Sequence, residues 1–257
     1  MVNSQSSLVN SQLSIVYFGS SSISPLVLPY LSNNFDVELV VDENTKIEAI
    51  EKAEAEVAVL AAYGKILPKS VLEHFKFGIL NIHPSFLPKY RGPSPVQTSI
   101  LNGDKETGVT VIKLDEEMDH GPILAQKSIE ISKNDTAESL FGRLFPLGAE
   151  LITEKLEKYT KNEVKLTPQS HNNATYTKML KRESGFFELE TSPSLEKLDL
   201  MIRAFYPWPG VWTKWNDKIL KFLPGNKVQV EGKKPSSYKD FINGYPNLDK
   251  KLLNLLG

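Results

Sequence analysis

The chain has 257 residues, of which 40% are hydrophobic and 24% are charged, and its net charge is −1. This composition is ordinary for a globular domain, and it excludes an extensively disordered chain and a protein whose overall charge attracts nucleic acid. Cysteine is absent, which excludes disulfides, thiolate nucleophiles and sulfur-bound zinc.

A polar N-terminal tail, residues 1–12, precedes the first predicted element. Its start, Met1–Ser7, has neither the basic beginning nor the apolar middle of a secretion signal. No stretch of the chain approaches the roughly 20 apolar residues that a membrane-spanning helix needs. These features favour a cytoplasmic protein.

Strand patterns and helix patterns then alternate. Leu13–Phe18 is typical of a buried strand, and a turn of glycine and serines separates it from a helix predicted over Pro25–Leu31. The next apolar strands are predicted at Val37–Val41, Val57–Ala61, Gly78–Ile82, Val109–Leu114 and Ile123–Ile131. Further helices are predicted over Lys46–Glu56 and from Asn134 to Tyr159. This alternation predicts an α/β fold with a mostly parallel sheet covered by helices.

The character of the sequence changes after residue 165. Polar residues 166–173 are typical of a linker, and short aromatic runs with frequent proline and glycine predict a small β-rich domain over residues 174–235. A tail, residues 236–257, follows. Between Val211 and Lys234 six lysines stand against two acids, which indicates either a solvated lysine face or a surface that binds nucleic acid.

Asn81 and His83 stand two residues apart at the end of a predicted strand. Side chains two apart in a strand point the same way, and Pro84 and Pro88 prevent the strand from continuing. The pair is therefore predicted at the strand's open end, where open α/β sheets bind ligands. Spacing alone also allows a capped loop, because an asparagine near a turn usually bonds its own backbone.

Asp119 lies in an acidic loop after the predicted strand Val109–Leu114 and precedes His120-Gly121-Pro122, where a tight turn can direct a carboxylate inward. The other acids of this loop are expected to face solvent. The sequence has no cysteine, no Gly-x-Ser-x-Gly motif and no set of metal ligands, so covalent and metal-dependent routes are not favoured. An amide and a protonated imidazole can hold an oxyanion while a carboxylate orients the imidazole, which suits acyl transfer to an amine.

Long motifs around these residues resemble the methionyl-tRNA formyltransferases. The motifs are Ala61–Pro68, Asn81–Gly92, Leu101–Asp104 with Glu106–Thr110, Leu114-Asp115, Met118–Gly121 and Ile202–Gly210. The resemblance implies a Rossmann-like catalytic domain over residues 13–165 and an OB-like C-terminal domain. It implies 10-formyltetrahydrofolate as the donor and the amino group of initiator methionyl-tRNA as the acceptor, in a monomeric enzyme that supports translation initiation.

The resemblance also implies roles for single residues. The family's catalytic asparagine, histidine and aspartate correspond to Asn81, His83 and Asp119, and no metal is implied. Positions expected to contact the folate correspond to Ser85, Phe86, Leu87, Pro88, Tyr63, Gly64, Ile66, Leu67, His120 and Gly121. Arg91, in the same loop as Ser85, is left either as a phosphate contact or as a tie to the backbone.

The chain departs from the family's pattern after its second predicted strand. Family members usually carry a long basic loop there that enters the tRNA acceptor arm, whereas this chain continues with Asp42–Lys46. A sugar-nucleotide N-formyltransferase uses the same donor without that loop, and a non-catalytic folate- or RNA-binding relic would keep only the fold. The motif Tyr206–Gly210 and the basic second domain favour tRNA as the acceptor.

Overall fold

The computed structural model describes residues 12–257, so the predicted N-terminal tail lies outside the described residues except for its last position. The strands are β1 (Ser14–Gly19), β2 (Asp36–Val41), β3 (Val57–Ala61), β4 (Ile79–His83), β5 (Glu106–Lys113), β6 (Ile123–Glu130), β7 (Val211–Trp215), β8 (Lys218–Leu223), β9 (Lys227–Val230) and β10 (Ser236–Ser237). The helices are α1 (Ser24–Asn34), α2 (Ile47–Ile50), α3 (Lys69–His74), α4 (Pro95–Leu101), α5 (Ala137–Thr160), α6 (Leu195–Ala204), α7 (Tyr238–Gly244) and α8 (Lys250–Leu256). None of the helices within residues 12–257 is long and apolar enough to cross a membrane.

Six strands form one sheet in the order β2-β1-β3-β4-β5-β6. Strands β1 to β4 pair in parallel, and β5 runs antiparallel to β4. The prediction of a Rossmann-like, mostly parallel sheet with flanking helices is therefore confirmed. The order of the strands reverses at β1, and the carboxyl ends of the parallel strands next to this point are where such sheets bind ligands.

The inner strands β1, β3, β4 and β5 are mostly buried, and their nearly continuous apolar runs suit strands that are covered on both faces, whereas the edge strands β2 and β6 are largely exposed or half-buried. Every residue of β3 and β4 is buried. Phe18 of β1 packs edge-on against Tyr63 and Phe75, with ring centroids 5.5 and 6.2 Å apart. Asn81 and His83 are the two polar residues within this apolar part of β4, which marks them as functional candidates.

The helix predicted over Lys46–Glu56 is wrong for most of its length, because α2 covers only Ile47–Ile50. The carboxylate of Glu38 in β2 accepts hydrogen bonds from the backbone N–H groups of Glu54 and Ala55, each at 2.8 Å. These N–H groups would bond within a helix if the helix continued. The side chain of Glu38 in β2 thus binds backbone N–H groups that a longer helix would use, and the chain continues into β3 without further helix.

Contacts divide the chain into two compact units. One unit comprises residues 12–83 of the described chain, Thr110–Ala125 and Phe145–Pro168, and the other comprises Pro84–Val109, Gln126–Leu144 and Gln169–Gly257. The second unit contains an antiparallel sheet of four strands in the order β10-β9-β8-β7. The small β-rich C-terminal part predicted from the sequence is therefore confirmed.

Alternation along the strands of this second sheet separates core residues from lysines. In β8 the side chains of Leu220 and Phe222 are buried, whereas the intervening Lys221 is exposed. The C-terminal helices extend this core, since Phe241 of α7 packs against Trp215 of β7 with ring centroids 5.3 Å apart. The lysine-rich segment therefore presents its charges to solvent around an apolar interior.

Asp135, just before α5, is a hydrogen-bonding centre within the second unit and is only 7% exposed. Its carboxylate accepts from Ser132 N at 2.8 Å and from Ser139 Oγ at 2.9 Å, and it pairs with Arg143 Nη1 at 2.6 Å. Burial acts to raise the pKa of Asp135, but the hydrogen bonds from Ser132 and Ser139 and the charge of Arg143 outweigh it and lower that pKa.

We expect Asp135→Asn to lower the free energy of unfolding by about 1–3 kcal/mol at pH 7, because charge-assisted hydrogen bonds are lost at a buried site. The folded-state pKa of Asp135 lies below its unfolded value of about 3.9, so its contribution is complete above that value and is lost as the pH falls through the folded-state pKa. Urea unfolding at pH 7, 5 and 3 measures the difference. A difference that is equally large at pH 3 would contradict this account, and Glu138→Gln on the exposed face of the same turn serves as the control.

Candidate active site

The carboxyl end of β4 places Asn81 and His83 on one side of the strand, with side chains that are almost fully buried. Asn81 Nδ2 donates to Asp119 Oδ1 at 3.3 Å, and His83 Nδ1 lies 3.4 Å from the same oxygen. The structure therefore brings together the amide, imidazole and carboxylate that the sequence suggested would converge. A single carboxylate oxygen faces two nitrogens, so the position of Asp119 determines the geometry of the group.

The loop between β5 and β6 holds Asp119 in a backbone conformation that few residues adopt. Asp119 has a φ of 50°, in the left-handed region that aspartate and asparagine tolerate better than most residues. The base of the loop is closed by a hydrogen bond from Lys113 N to Pro122 O at 2.9 Å. The strand ends and this closed loop together present the carboxylate to β4.

Gly121 allows the chain to close this loop. A Cβ atom at Gly121 would lie 1.8 Å from the carbonyl oxygen of Lys113, which is backbone and has no room to move aside. The loop is therefore built around the absence of a side chain at this position. Any larger residue would displace the segment that carries Asp119.

We expect Gly121→Ala to lower the free energy of unfolding by about 1–3 kcal/mol, because the added methyl group overpacks a backbone contact. Gly142→Ala in α5 is the matched control, since a Cβ there meets nothing within 4 Å and alanine favours a helix. Thermal or urea unfolding of both variants measures the effect. Equal stability of Gly121→Ala and the unmodified protein would show that the loop is not held as described.

Other residues expected to contact folate lie in the first unit on the loop after β3. The side chain of Ile66 is 95% exposed, and Gly64 has open space beside it. Tyr63 is half-buried against Phe18, and burial, followed by the charge of Asp42, raises its pKa. Within this unit, therefore, Ile66 and Gly64 are exposed and accessible to a ligand, whereas part of the Tyr63 ring is packed against Phe18.

The remaining expected folate contacts lie in the second unit, on the loop after β4. Ser85 is fully buried and its hydroxyl donates to Lys89 O at 2.7 Å, and Leu87 is also buried. Phe86 is 44% exposed and lines, with Lys89, an open pocket of about 410 Å³ in the same unit. Phe86 and the half-buried Pro88 present side-chain surface, whereas Ser85 and Leu87 hold the loop together.

Asp115 is exposed, as expected for the acids of its loop, but it also makes hydrogen bonds that sequence reasoning missed. Its Oδ1 accepts from Glu117 N at 3.0 Å, and its Oδ2 lies 2.7 Å from His120 Nδ1. The first of these bonds forms an Asx turn, in which an aspartate side chain accepts from the backbone N–H two positions later. The presence of an aspartate in this loop is the signal that could have indicated it.

Over residues 12–257 no group of three or more histidine, aspartate or glutamate side chains is placed to hold a metal ion.

Two family models match the chain. The model described as "Formyl transferase" matches residues 30–156, and the model described as "Formyl transferase, C-terminal domain" matches residues 180–227. A methionyl-tRNA formyltransferase of Chloroflexus aggregans is 45% identical over 177 residues, which are 69% of this chain and 57% of that protein. One of Thermodesulfovibrio yellowstonii is 37% identical over 237 residues, with 80% of this chain and 76% of that protein covered. The chain thus spans little more than half the length of the Chloroflexus relative.

Solved structures share the fold at lower identity. A methionyl-tRNA formyltransferase from Clostridium thermocellum has a TM-score of 0.69 at 21% identity, covering 87% of this chain and 98% of that chain. An N-formyltransferase from Helicobacter canadensis, in complex with folinic acid and dTDP-3-aminofucose, has a TM-score of 0.66 at 20% identity, covering 84% of this chain and 94% of that chain. Both a tRNA-directed and a sugar-directed enzyme share this fold, so the fold by itself does not decide the acceptor.

Proposed function

Because this chain belongs to the formyl transferase family, we propose that it transfers a formyl group from 10-formyltetrahydrofolate to the amino group of initiator methionyl-tRNA. The observation that carries the proposal is the meeting of Asn81, His83 and Asp119 at the carboxyl end of β4. An amide, an imidazole and a carboxylate around one point suit attack of an amine on a carbonyl carbon.

The first step is addition. The amine nitrogen of the acceptor attacks the formyl carbon, and the formyl oxygen gains negative charge. Asn81 has two amide N–H groups, of which one donates to Asp119 and the other is assigned to the oxyanion. Asp119 lies beside His83 Nδ1 and fixes the orientation of the ring, and Nε2–H is assigned as the second donor to the oxyanion.

The second step is collapse of the tetrahedral intermediate. The attacking nitrogen loses a proton to Asp119, directly or through a water molecule, and the bond between the formyl carbon and N10 breaks. N10 takes up a proton as tetrahydrofolate leaves. Asp119 is suited to this transfer because its side chain is 12% exposed and is held within 3.4 Å of His83.

The family and the composition of the chain support the proposed donor. Cysteine is absent from the sequence, so direct transfer without a thioester intermediate is the economical route. The folinic acid named for the Helicobacter relative supports a folate-derived donor. Within the proposal, Ile66 and Gly64 supply exposed folate-contacting positions in the first unit.

The acceptor follows from the identity of relatives named methionyl-tRNA formyltransferases, and the exposed lysines over 214–234 support a polyanionic acceptor. The short, acidic segment after β2 means that the tRNA is held without a long basic loop at that position. We assign catalysis to residues 13–165 and tRNA contact to residues 174–235, in a monomer that works in the cytoplasm.

The test is an acceptor comparison. The purified protein is incubated with 10-formyltetrahydrofolate and either methionyl initiator tRNA or an aminosugar nucleotide, and formylated product is measured by mass spectrometry. We expect product with the tRNA alone, and formation of that product about 10²–10³-fold slower in the Asn81→Ala variant. Product with the sugar nucleotide alone would overturn the acceptor, and folate binding without any product would point to a relic.

A further inference from the structure

The loop that carries Asp119 is tied by a pair of contacts that the proposed chemistry does not use. Asp115 Oδ1 accepts from Glu117 N at 3.0 Å, and His120 Nδ1 donates to Asp115 Oδ2 at 2.7 Å. The Nε2 atom of the same ring lies 3.9 Å from Glu117 Oε1. One carboxylate thus joins the start of the loop to the residue directly after Asp119. We call the Asp115–His120 hydrogen bond the clasp.

The clasp acts on Asp119 through the backbone. Asp119 sits at a φ of 50°, which side-chain-bearing residues keep only where the surroundings hold them. Both residues that follow Asp119 are fixed in place: Asp115 holds His120, and Gly121 lies tightly against the carbonyl of Lys113. Release of His120 allows the Asp119 backbone to relax, which turns its carboxylate away from β4.

Small movements of the Asp119 carboxylate matter because its distances to Asn81 and His83 are already long. Asp119 Oδ1 lies 3.3 Å from Asn81 Nδ2 and 3.4 Å from His83 Nδ1, at the outer range of useful hydrogen bonds. A further displacement of a few tenths of an ångström breaks both contacts together. The clasp therefore keeps the Asp119 carboxylate just close enough to contact Asn81 and His83.

We propose that Asp115 and His120 are positioning residues, which hold Asp119 in the orientation that serves Asn81 and His83. This inference rests on the proposed function and assigns to His120 a different task from folate contact. The partly exposed ring is used from within the loop, through Nδ1, rather than as a wall of the folate pocket. Asp115 and His120 act as one unit in this role.

Steady-state kinetics with both substrates test the clasp. We expect Asp115→Ala and His120→Ala each to lower kcat by about 10–100-fold, because a misplaced catalytic group is costly, while KM for the folate stays within about twofold. The double variant is expected to be no worse than either single variant, since both remove the same contact. Asp115→Asn keeps the bond from Glu117 N and is expected to recover part of the loss. Glu116→Gln, an exposed acid in the same loop that pairs with Lys69, is the control and is expected to keep full activity.

Three results would overturn the clasp. The first is an unchanged kcat in Asp115→Ala, and the second is additive losses of activity in the double variant. The third is a raised KM for the folate in His120→Ala with normal kcat, which would indicate that His120 contacts the folate. A readout independent of turnover is the ¹⁵N chemical shifts of the His83 ring. They are expected to move in Asp115→Ala and to stay in Glu116→Gln. If the unmodified protein formylates no acceptor, the proposed function fails, and these shifts still decide whether Asp115 positions Asp119.

Discussion

We expect replacement of Asn81 with alanine to lower kcat for the proposed formyl transfer by about 10²–10³, the loss that follows removal of one donor from an oxyanion hole. The oxyanion exists only in the transition state and the intermediate, so KM for either substrate changes little. The substitution removes an amide that is 7% exposed and donates to Asp119 at 3.3 Å. Single-turnover formylation of methionyl-tRNA measures the loss without interference from product release.

Two further variants separate this loss from unfolding. Asn34→Ala removes an exposed amide at the end of α1 that donates to Tyr30 O, and we expect full activity from it. Asn81→Asp keeps the size of the side chain but brings a second carboxylate up to Asp119, and it should be as inactive as the alanine variant. An active Asn81→Asp with normal thermal stability would remove Asn81 from the oxyanion site.

The sheet and the placement of Asn81 and His83 were predictable because their signals are local. Alternation in β4 puts Asn81 and His83 on one side of a strand, and the prolines after His83 end that strand at the ligand-binding edge. The sequence predicts that Asp119 lies close to Asn81 and His83 only if β4 and β5 are neighbours in the sheet. Their antiparallel pairing, with Asn81 opposite Ile112, meets that condition.

What the sequence could not predict depends on side chains distant in the chain. The sequence allows Arg91 either to contact a phosphate or to bond the backbone. In the structure Arg91 is 2% exposed. Its Nη2 donates to Gln169 Oε1 at 2.7 Å and lies 2.9 Å from His171 Nδ1, about 80 positions along the chain. Nothing in the spacing of these residues indicates such a meeting, so Arg91 holds the loop after β4 to the 169–171 segment. The shortened α2 has the same kind of cause, because Glu38 comes from another element.

The Asp119 loop shows the opposite case, in which a local signal for a backbone hydrogen bond was present in an acid that is also exposed, as expected. Asp115 precedes Glu117 by two positions, the spacing of an Asx turn, and the bond forms at 3.0 Å. The ion pair between Lys69 and Glu116 is exposed, as predicted for the acids of this loop. A run of acids can therefore contain both solvated charges and a residue that shapes the backbone, and turn geometry separates them better than charge.

We expect replacement of Asp119 with asparagine to lower kcat for the proposed reaction by about 10²–10⁴, the range for loss of a positioned acid–base group. Asparagine has nearly the same shape as aspartate but carries no charge, so it does not accept a proton from the attacking amine. The two nitrogens at 3.3 and 3.4 Å then face an amide in place of a carboxylate oxygen. Rates measured with saturating folate and methionyl-tRNA report the chemical step.

The double variant Asn81→Ala with Asp119→Asn decides whether these side chains act as a unit. If Asp119 works by orienting and charging the group that holds the oxyanion, the double variant loses much less than the product of the two single losses. If Asp119 only moves protons, the two losses multiply. We expect the first result, because a single oxygen of Asp119 lies within 3.4 Å of both nitrogens and releasing either one disturbs the other. Multiplicative losses in variants with unchanged unfolding midpoints would leave Asp119 as a proton carrier alone.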